Sequence, residues 1–179
     1  MHADVILHLP LETVHTDQFP GQGLITEEMS DGEIVSMLRR DLASVPGHVG
    51  VNNHMGSKFM VDEGKLVLVF NKLKKKKLFF VDSRTTASTK AHAASVKVNI
   101  PMGSRKVFLD NNRNYDEIYK ILLESAQNSP DAFPVIMIGH PYPETIRAIK
   151  DASKVLREKG ILVVPVSKLI KGQTLSGSS

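Results

Sequence analysis

Polar and ionisable side chains recur at one kind of place in this sequence, the end of a short apolar run. His8 closes "VILHLPLE", Asn52, Asn53 and His54 close "VGVNNHMGS", and Asp82 and Arg84 close "FFVDSRT". Asp110 and Asn111 close "VFLDNN", and His140 closes "MIGHPYP". Imidazole and carboxylate together suit a hard or borderline divalent ion, zinc first, and general acid–base work. The sequence has no cysteine, which removes disulfides, thiolate zinc sites and cysteine nucleophiles together. His8 and His54 are the natural ligand pair, since they end consecutive runs and can point at one ion. Glu12 stands four residues after His8, but Pro10 between them argues against a shared helical face. Asn52 and Asn53 are poor zinc ligands, better suited to supporting a ligand or recognising a sugar hydroxyl or amide.

Each of these residues also has a plainer structural reading. Asp82, followed by Ser83 and Thr85, could cap a helix, and Asp110 before two asparagines could be turn chemistry. His8 and His140, each beside a proline or glycine, could be loop histidines satisfied by backbone. His2, His15, His48 and His92 occupy an end, a loop, a strand start and a helix, and read as structural or solvated. Nucleophile chemistry finds less support: neither Ser57 nor Ser83 sits in a G-x-S-x-G elbow, and there is no Walker loop or G-x-G-x-x-G fingerprint.

Elements that would bring these residues together can be read from the apolar pattern. "DVILHL", "HVGVNN", "LFFVDS", "RKVFLDN", "PVIMIGH" and "ILVVPV" are continuous rather than alternating, as in parallel strands covered on both faces. Ser30 and Glu33 form a capping box ahead of the stripe Ile34, Met37, Leu38 and Leu42. Leu66, Val69, Phe70 and Leu73 predict a second helix, and the alanine-rich "TTASTKAHAASVKV" a third. Asn114 or Asp116 can start a fourth, and Pro143 a fifth that stops at Gly160. Alternating strand and helix argue for a parallel α/β architecture, whose strand ends share one face.

At 179 residues and 41% hydrophobic, the chain suits a single domain over residues 1–172 with a flexible tail, 173–179. Its net charge of +4 comes mostly from one run, "NKLKKKKL", which reads as cations offsetting a helix C-terminus rather than a nucleic-acid site. No stretch has the apolar length of a transmembrane segment, and no targeting segment is visible.

The ordered set "LHLPLE", "VGVNNHMGSKFM", "LFFVDSRTT", "SRKVFLDNN" and "IGHPYPETI" resembles the divergent polysaccharide deacetylase family, a branch of the carbohydrate deacetylase (NodB-homology) superfamily. The resemblance runs from about Val5 to beyond Ile146, with all five motifs in family order. It implies a distorted (β/α) barrel of the glycoside hydrolase/deacetylase type and metal-dependent hydrolysis of acetyl groups on a carbohydrate. By motif position His8 and His54 would be metal ligands, His140 the proton donor to the leaving group, and Asp82 and Arg84 catalytic neighbours. Asn52, Asn53 and Asp110 would contact substrate or orient those groups.

The resemblance also implies a periplasmic or exported location. The family pattern opens with a strand ending in an Asp-Asp pair, and none precedes Met1. The expectation is therefore a barrel lacking its first one or two strands, with weak zinc binding, little activity and self-association through an open edge. A non-catalytic glycan-binding or cell-envelope interaction module on an eroded deacetylase barrel is the alternative, and a different His/Asp metallohydrolase a third reading.

Overall fold

The computed structural model describes residues 3–15, 17, 20–129 and 134–173, excepting the side chains of 171–173. His2 and the tail beyond residue 173 lie outside the described residues. Two compact units divide the chain, Met1–Ser104 with Ile170–Ser179, and Arg105–Leu169.

The first unit repeats strand and helix. β1 (Ile6–Leu11), α1 (Asp31–Ser44), β2 (Gly50–Met55), α2 (Glu63–Lys75), β3 (Phe79–Asp82), α3 (Ala91–Val98) and β4 (Met102–Ser104) follow in that order. The strands form one sheet, β1-β2-β3-β4, and every pair is parallel. Local chemistry fixes the helix starts. Ser30 accepts a hydrogen bond from the Glu33 backbone while the Glu33 carboxylate accepts from Ser30, and Asp62 accepts from the Lys65 backbone.

Side-chain alternation then divides the sheet into two faces. Leu7, Leu9, Leu11, Val51 and Phe80 join one buried cluster with Ile34, Leu38 and Leu42 of α1, Leu66, Val69, Phe70 and Leu73 of α2, and Ala91 and Ala94 of α3. His8, Asn52 and His54 have the opposite parity, as do Phe79 and Val81, which are buried but outside that cluster. Gly50 lies on this second face because the Phe79 ring occupies the space that a Cβ would need.

The second unit holds β5 (Val107–Phe108), α4 (Tyr115–Gln127), β6 (Met137–Ile138), α5 (Pro143–Glu158) and the start of α6 (Val166–Gln173). β5 and β6 pair in parallel, and backbone bonds Lys106–Ile136 and Leu109–Ile138 extend the ladder. Asn114 caps α4 through the Glu117 backbone, Pro143 opens α5, and Gly160 follows α5 at φ 77°. Leu109, Ile118, Leu122, Ala148 and Ala152 form the core of this unit. "ILVVPV", expected as a strand, has no strand assigned, and Leu162 within it is 72% exposed. The alanine-rich segment is helical only from Ala91, because the Thr86 and Thr89 hydroxyls accept the Ser88 and Ala91 backbone N–H groups and hold a turn.

Candidate functional site

His8 and His54 reach each other because of the β1–β2 register. His54 pairs with Pro10, two residues beyond His8 and on the same face, so the imidazoles meet diagonally across adjacent strands. Nδ1 of His54 lies 2.9 Å from Nε2 of His8, with ring centroids 4.6 Å apart. Two ligand nitrogens around one tetrahedral zinc stand about 3.3 Å apart, so the two imidazoles are near enough to share an ion only if both rings turn these nitrogens from each other toward it. No group of three or more His, Asp or Glu forms a metal cluster among the described residues.

Glu12, four residues after His8, is engaged elsewhere. Its Oε1 meets Lys58 Nζ at 2.8 Å, and its Oε2 accepts the Glu27 backbone N–H at 2.7 Å. Burial pushes the Glu12 pKa up, but Lys58 and the Glu27 N–H outweigh that and hold it below the usual range. This arrangement ties the segment after β1 to the loop after β2.

The two asparagines of "GVNNHM" have opposite surroundings. Asn53 has no exposed surface and faces the helix side of the sheet. Its Oδ1 accepts the Ser83 N–H at 2.7 Å, and its Nδ2 donates to the Met55 carbonyl at 2.8 Å and to Thr85 Oγ1 at 3.3 Å. Thr85 donates to the same Met55 carbonyl at 2.8 Å, and Met55 sits at φ 54°, a left-handed conformation that these bonds hold in place. A direct sugar contact from Asn53 would require giving up that clamp. Asn52 is buried on the histidine face and donates to Ser83 Oγ at 3.2 Å.

Asp82 is 1% exposed and accepts the Arg84 N–H at 2.7 Å, an Asx turn rather than a helix cap. That turn puts exposed Arg84 at φ 50°, so the ends of β2 and β3 each carry a non-glycine residue in the left-handed region.

In the second unit Asp110 and His140 form a dyad. The Asp110 side chain is fully buried, and its Oδ2 accepts from the His140 N–H at 2.6 Å and from Thr145 Oγ1 at 2.9 Å. Its Oδ1 meets His140 Nδ1 at 3.0 Å. Burial pushes the Asp110 pKa up, but the bonds from Thr145 and from the backbone and ring of His140 prevail and hold it below the usual carboxylate value. An ionised Asp110 can only accept, so the proton on Nδ1 is assigned from this partner and Nε2 is left for chemistry. The His140 side chain is 52% exposed. Asp110 therefore orients His140, and its own side chain has no exposed surface.

Some partners carry no signal in the sequence. Thr145 reads as one more residue of the buried stripe of α5, and Ser83 and Thr85 read as caps. An apolar cavity of about 310 Å³ in the second unit, lined by Leu122, Met137, Ile149, Leu156 and Val163 among others, contains none of the candidate site residues.

The family model described as divergent polysaccharide deacetylase matches residues 1–170. The chain is 32% identical over 147 residues to the uncharacterized protein YibQ of Escherichia coli, covering 82% of this chain and 46% of that protein. It is 26% identical over 155 residues to an uncharacterized protein of Haemophilus influenzae, covering 87% of this chain and 55% of that one. It spans about half the length of the curated relatives it matches. A crystal structure of an uncharacterized protein from Agrobacterium tumefaciens superimposes with a TM-score of 0.85 at 23% identity, over 93% of this chain and 68% of that one. The parallel sheets and six α-helices among the described residues, with this superposition, agree with a deacetylase-like α/β barrel fold.

Proposed function

The chain belongs to the divergent polysaccharide deacetylase family, and on that premise we propose that it removes acetyl groups from a glycan with the help of a divalent ion, zinc first. The observation that carries this reading is the 2.9 Å approach of His8 and His54 across adjacent parallel strands, on the face opposite to the one that packs on α1, α2 and α3. Two convergent imidazoles fit half the shell of a borderline cation. A bound ion would supply a Lewis acid that activates water and steadies the oxyanion.

The remaining steps fall to side chains of this chain. Asp110 fixes the His140 ring with Nδ1 toward its carboxylate, which leaves Nε2 to pass a proton to the leaving amine or alkoxide. Asp82 and the Asn53 clamp set the two turns that follow β2 and β3, and Arg84 stands exposed on the second. A carbohydrate substrate accords with the family. No helix among the described residues is long and apolar enough to cross a membrane.

A non-catalytic glycan-binding module is the second reading, favoured by the lack of a third metal-binding side chain beside His8 and His54 among the described residues. Equilibrium dialysis with zinc and acetate release from an acetylated chito-oligosaccharide separate the two. The deacetylase reading expects weak binding of one zinc ion that His54→Ala abolishes, and acetate release that rises with added zinc. Zinc binding that is unchanged in His54→Ala would refute the metal site, and glycan binding without acetate release would establish the module.

A further inference from the structure

His140 stands between two aromatic rings, and each ring carries an arginine. Phe108 meets the imidazole edge-on at 5.4 Å, with the Arg105 guanidinium 5.4 Å from the Phe108 centroid. Tyr142 lies 5.1 Å from the imidazole on another side, with the Arg113 guanidinium 4.0 Å from its centroid. All five residues belong to the second unit, and Asp110 anchors His140 among them.

The position of Arg113 is electrostatically uphill. It precedes Asn114, the N-cap of α4, and it stacks on Tyr142, the N-cap residue of α5, so a cation sits at the positive ends of two helix dipoles. Tyr142 contributes no side-chain cap to α5. Asp116 and Glu117 in the first turn of α4 offset this, as does Glu144, whose Oε2 lies 3.5 Å from Arg113 Nη2 with both side chains substantially exposed. An exposed pair at that distance contributes little and exchanges readily. The Tyr142 contact and the Glu144 pair hold an exposed guanidinium here, where it is also suited to anion recognition. Its place over the Tyr142 ring, which itself neighbours His140, suits the planar fork to meet a carboxylate on a substrate that reaches the proposed proton donor.

We infer that Arg113, seated over the Tyr142 ring, selects a carboxylate-bearing glycan by binding an acidic group of the same glycan whose acetyl group His140 serves. This specificity rests on the deacetylase or glycan-binding reading above. Glu144 is then a competitor that occupies the fork until substrate arrives, and Arg105 adds positive potential on the other flank.

The test uses a partly acetylated oligosaccharide containing uronic acid residues and the same oligosaccharide with its carboxyls reduced to primary alcohols. Calorimetric binding and acetate release are measured for the full chain and for Arg113→Gln, Arg113→Lys and Glu144→Gln, each checked for an unchanged melting profile. The acidic glycan is expected to bind about tenfold more tightly than the reduced one, a preference that fades as salt screens it. Arg113→Gln abolishes that preference, Arg113→Lys keeps only part of it, and Glu144→Gln increases it. Equal affinity of the unmodified chain for both glycans, or a preference that survives Arg113→Gln, overturns the inference and leaves the glycan reading standing. Failure to bind or deacetylate either glycan overturns both.

Discussion

Replacing Asp110 with Asn changes one oxygen into an NH2 group and keeps the shape, so it isolates what the carboxylate does for His140. The buried side chain accepts three hydrogen bonds, from the His140 N–H, the His140 ring and the Thr145 hydroxyl. Asn has one acceptor oxygen, so its NH2 must face at least one of the His140 donors. A hydrogen bond to a charged group contributes about 1.5–3 kcal/mol, and opposing donors add to its loss, so Asp110→Asn should cost about 2–4 kcal/mol at neutral pH.

The sign of the pH dependence follows from the lowered pKa of Asp110. A carboxylate whose folded pKa lies below its unfolded value of about 3.9 adds stability that is full above that value and lost as pH falls through the folded pKa. The gap between the wild-type chain and the variant should therefore be constant from neutral pH to about 5 and shrink below about 4. Urea unfolding followed by circular dichroism gives the stabilities, and nitrogen NMR of the imidazole gives the tautomer. The variant should lose the fixed Nδ1–H form and, in an active full-length protein, about 10²-fold or more in turnover. A difference below about 0.5 kcal/mol at pH 7, or an unchanged tautomer, would refute the assignment of Asp110 as the group that orients His140.

Further consequences concern stability in the first unit. Asp41 is buried on α1 near its C-terminus, its Oδ2 has no hydrogen-bond partner, and burial pushes its pKa up against the opposing effect of Arg40. Wild-type stability should accordingly fall as pH rises from about 3.9 through the raised pKa, and Asp41→Asn should gain on the order of 1 kcal/mol at pH 7 and nothing at pH values where Asp41 is protonated. Thermal melts across that range would expose the error if the variant were less stable at neutral pH. Asn53→Ala removes the acceptor for the buried Ser83 N–H and both donors to the β2 and β3 ends, at a cost of about 2–4 kcal/mol. Hydrogen exchange should show the Ser83 amide losing protection first, and full protection there would count against the clamp.

Much of the fold was legible because its signals are local. The capping box at Ser30 and Glu33, the cap at Asn114, Pro143 at the start of α5 and the apolar runs of β1 to β3 each needed only a few neighbouring residues. β4, "MGS", is too short and too polar to register as a strand and exists through its pairing with β3. "ILVVPV" shows the reverse case, an apolar run with no strand assigned among the described residues. At the site, the convergence of His8 and His54 was anticipated, although β1 runs on to Leu11 past His8 rather than ending there. The supporting partners Thr145, Tyr142 and Arg113 were not anticipated, since their roles depend on contacts of 4–5 Å or less across loops and helices.

Parity explains the segment "GVNNHM" more fully than its composition does. Val51 and Asn53 face the helices, while Asn52 and His54 face the other way with His8. A slip of one residue between β1 and β2 would exchange these sets and turn His54 into the leucine core. Two features oppose the slip. The leucines at 7, 9 and 11 alternate with His8 and Pro10, and Asn53, the one polar residue of β2 on the core side, is satisfied only where Ser83 and Thr85 meet it. Losing those bonds would leave the buried amide with only the Met55 carbonyl of its own strand, a cost that a slipped sheet would have to offset. Asn53 thus acts on the histidine pair without touching it, by making the register that brings His8 and His54 together the one in which its own hydrogen bonds can form.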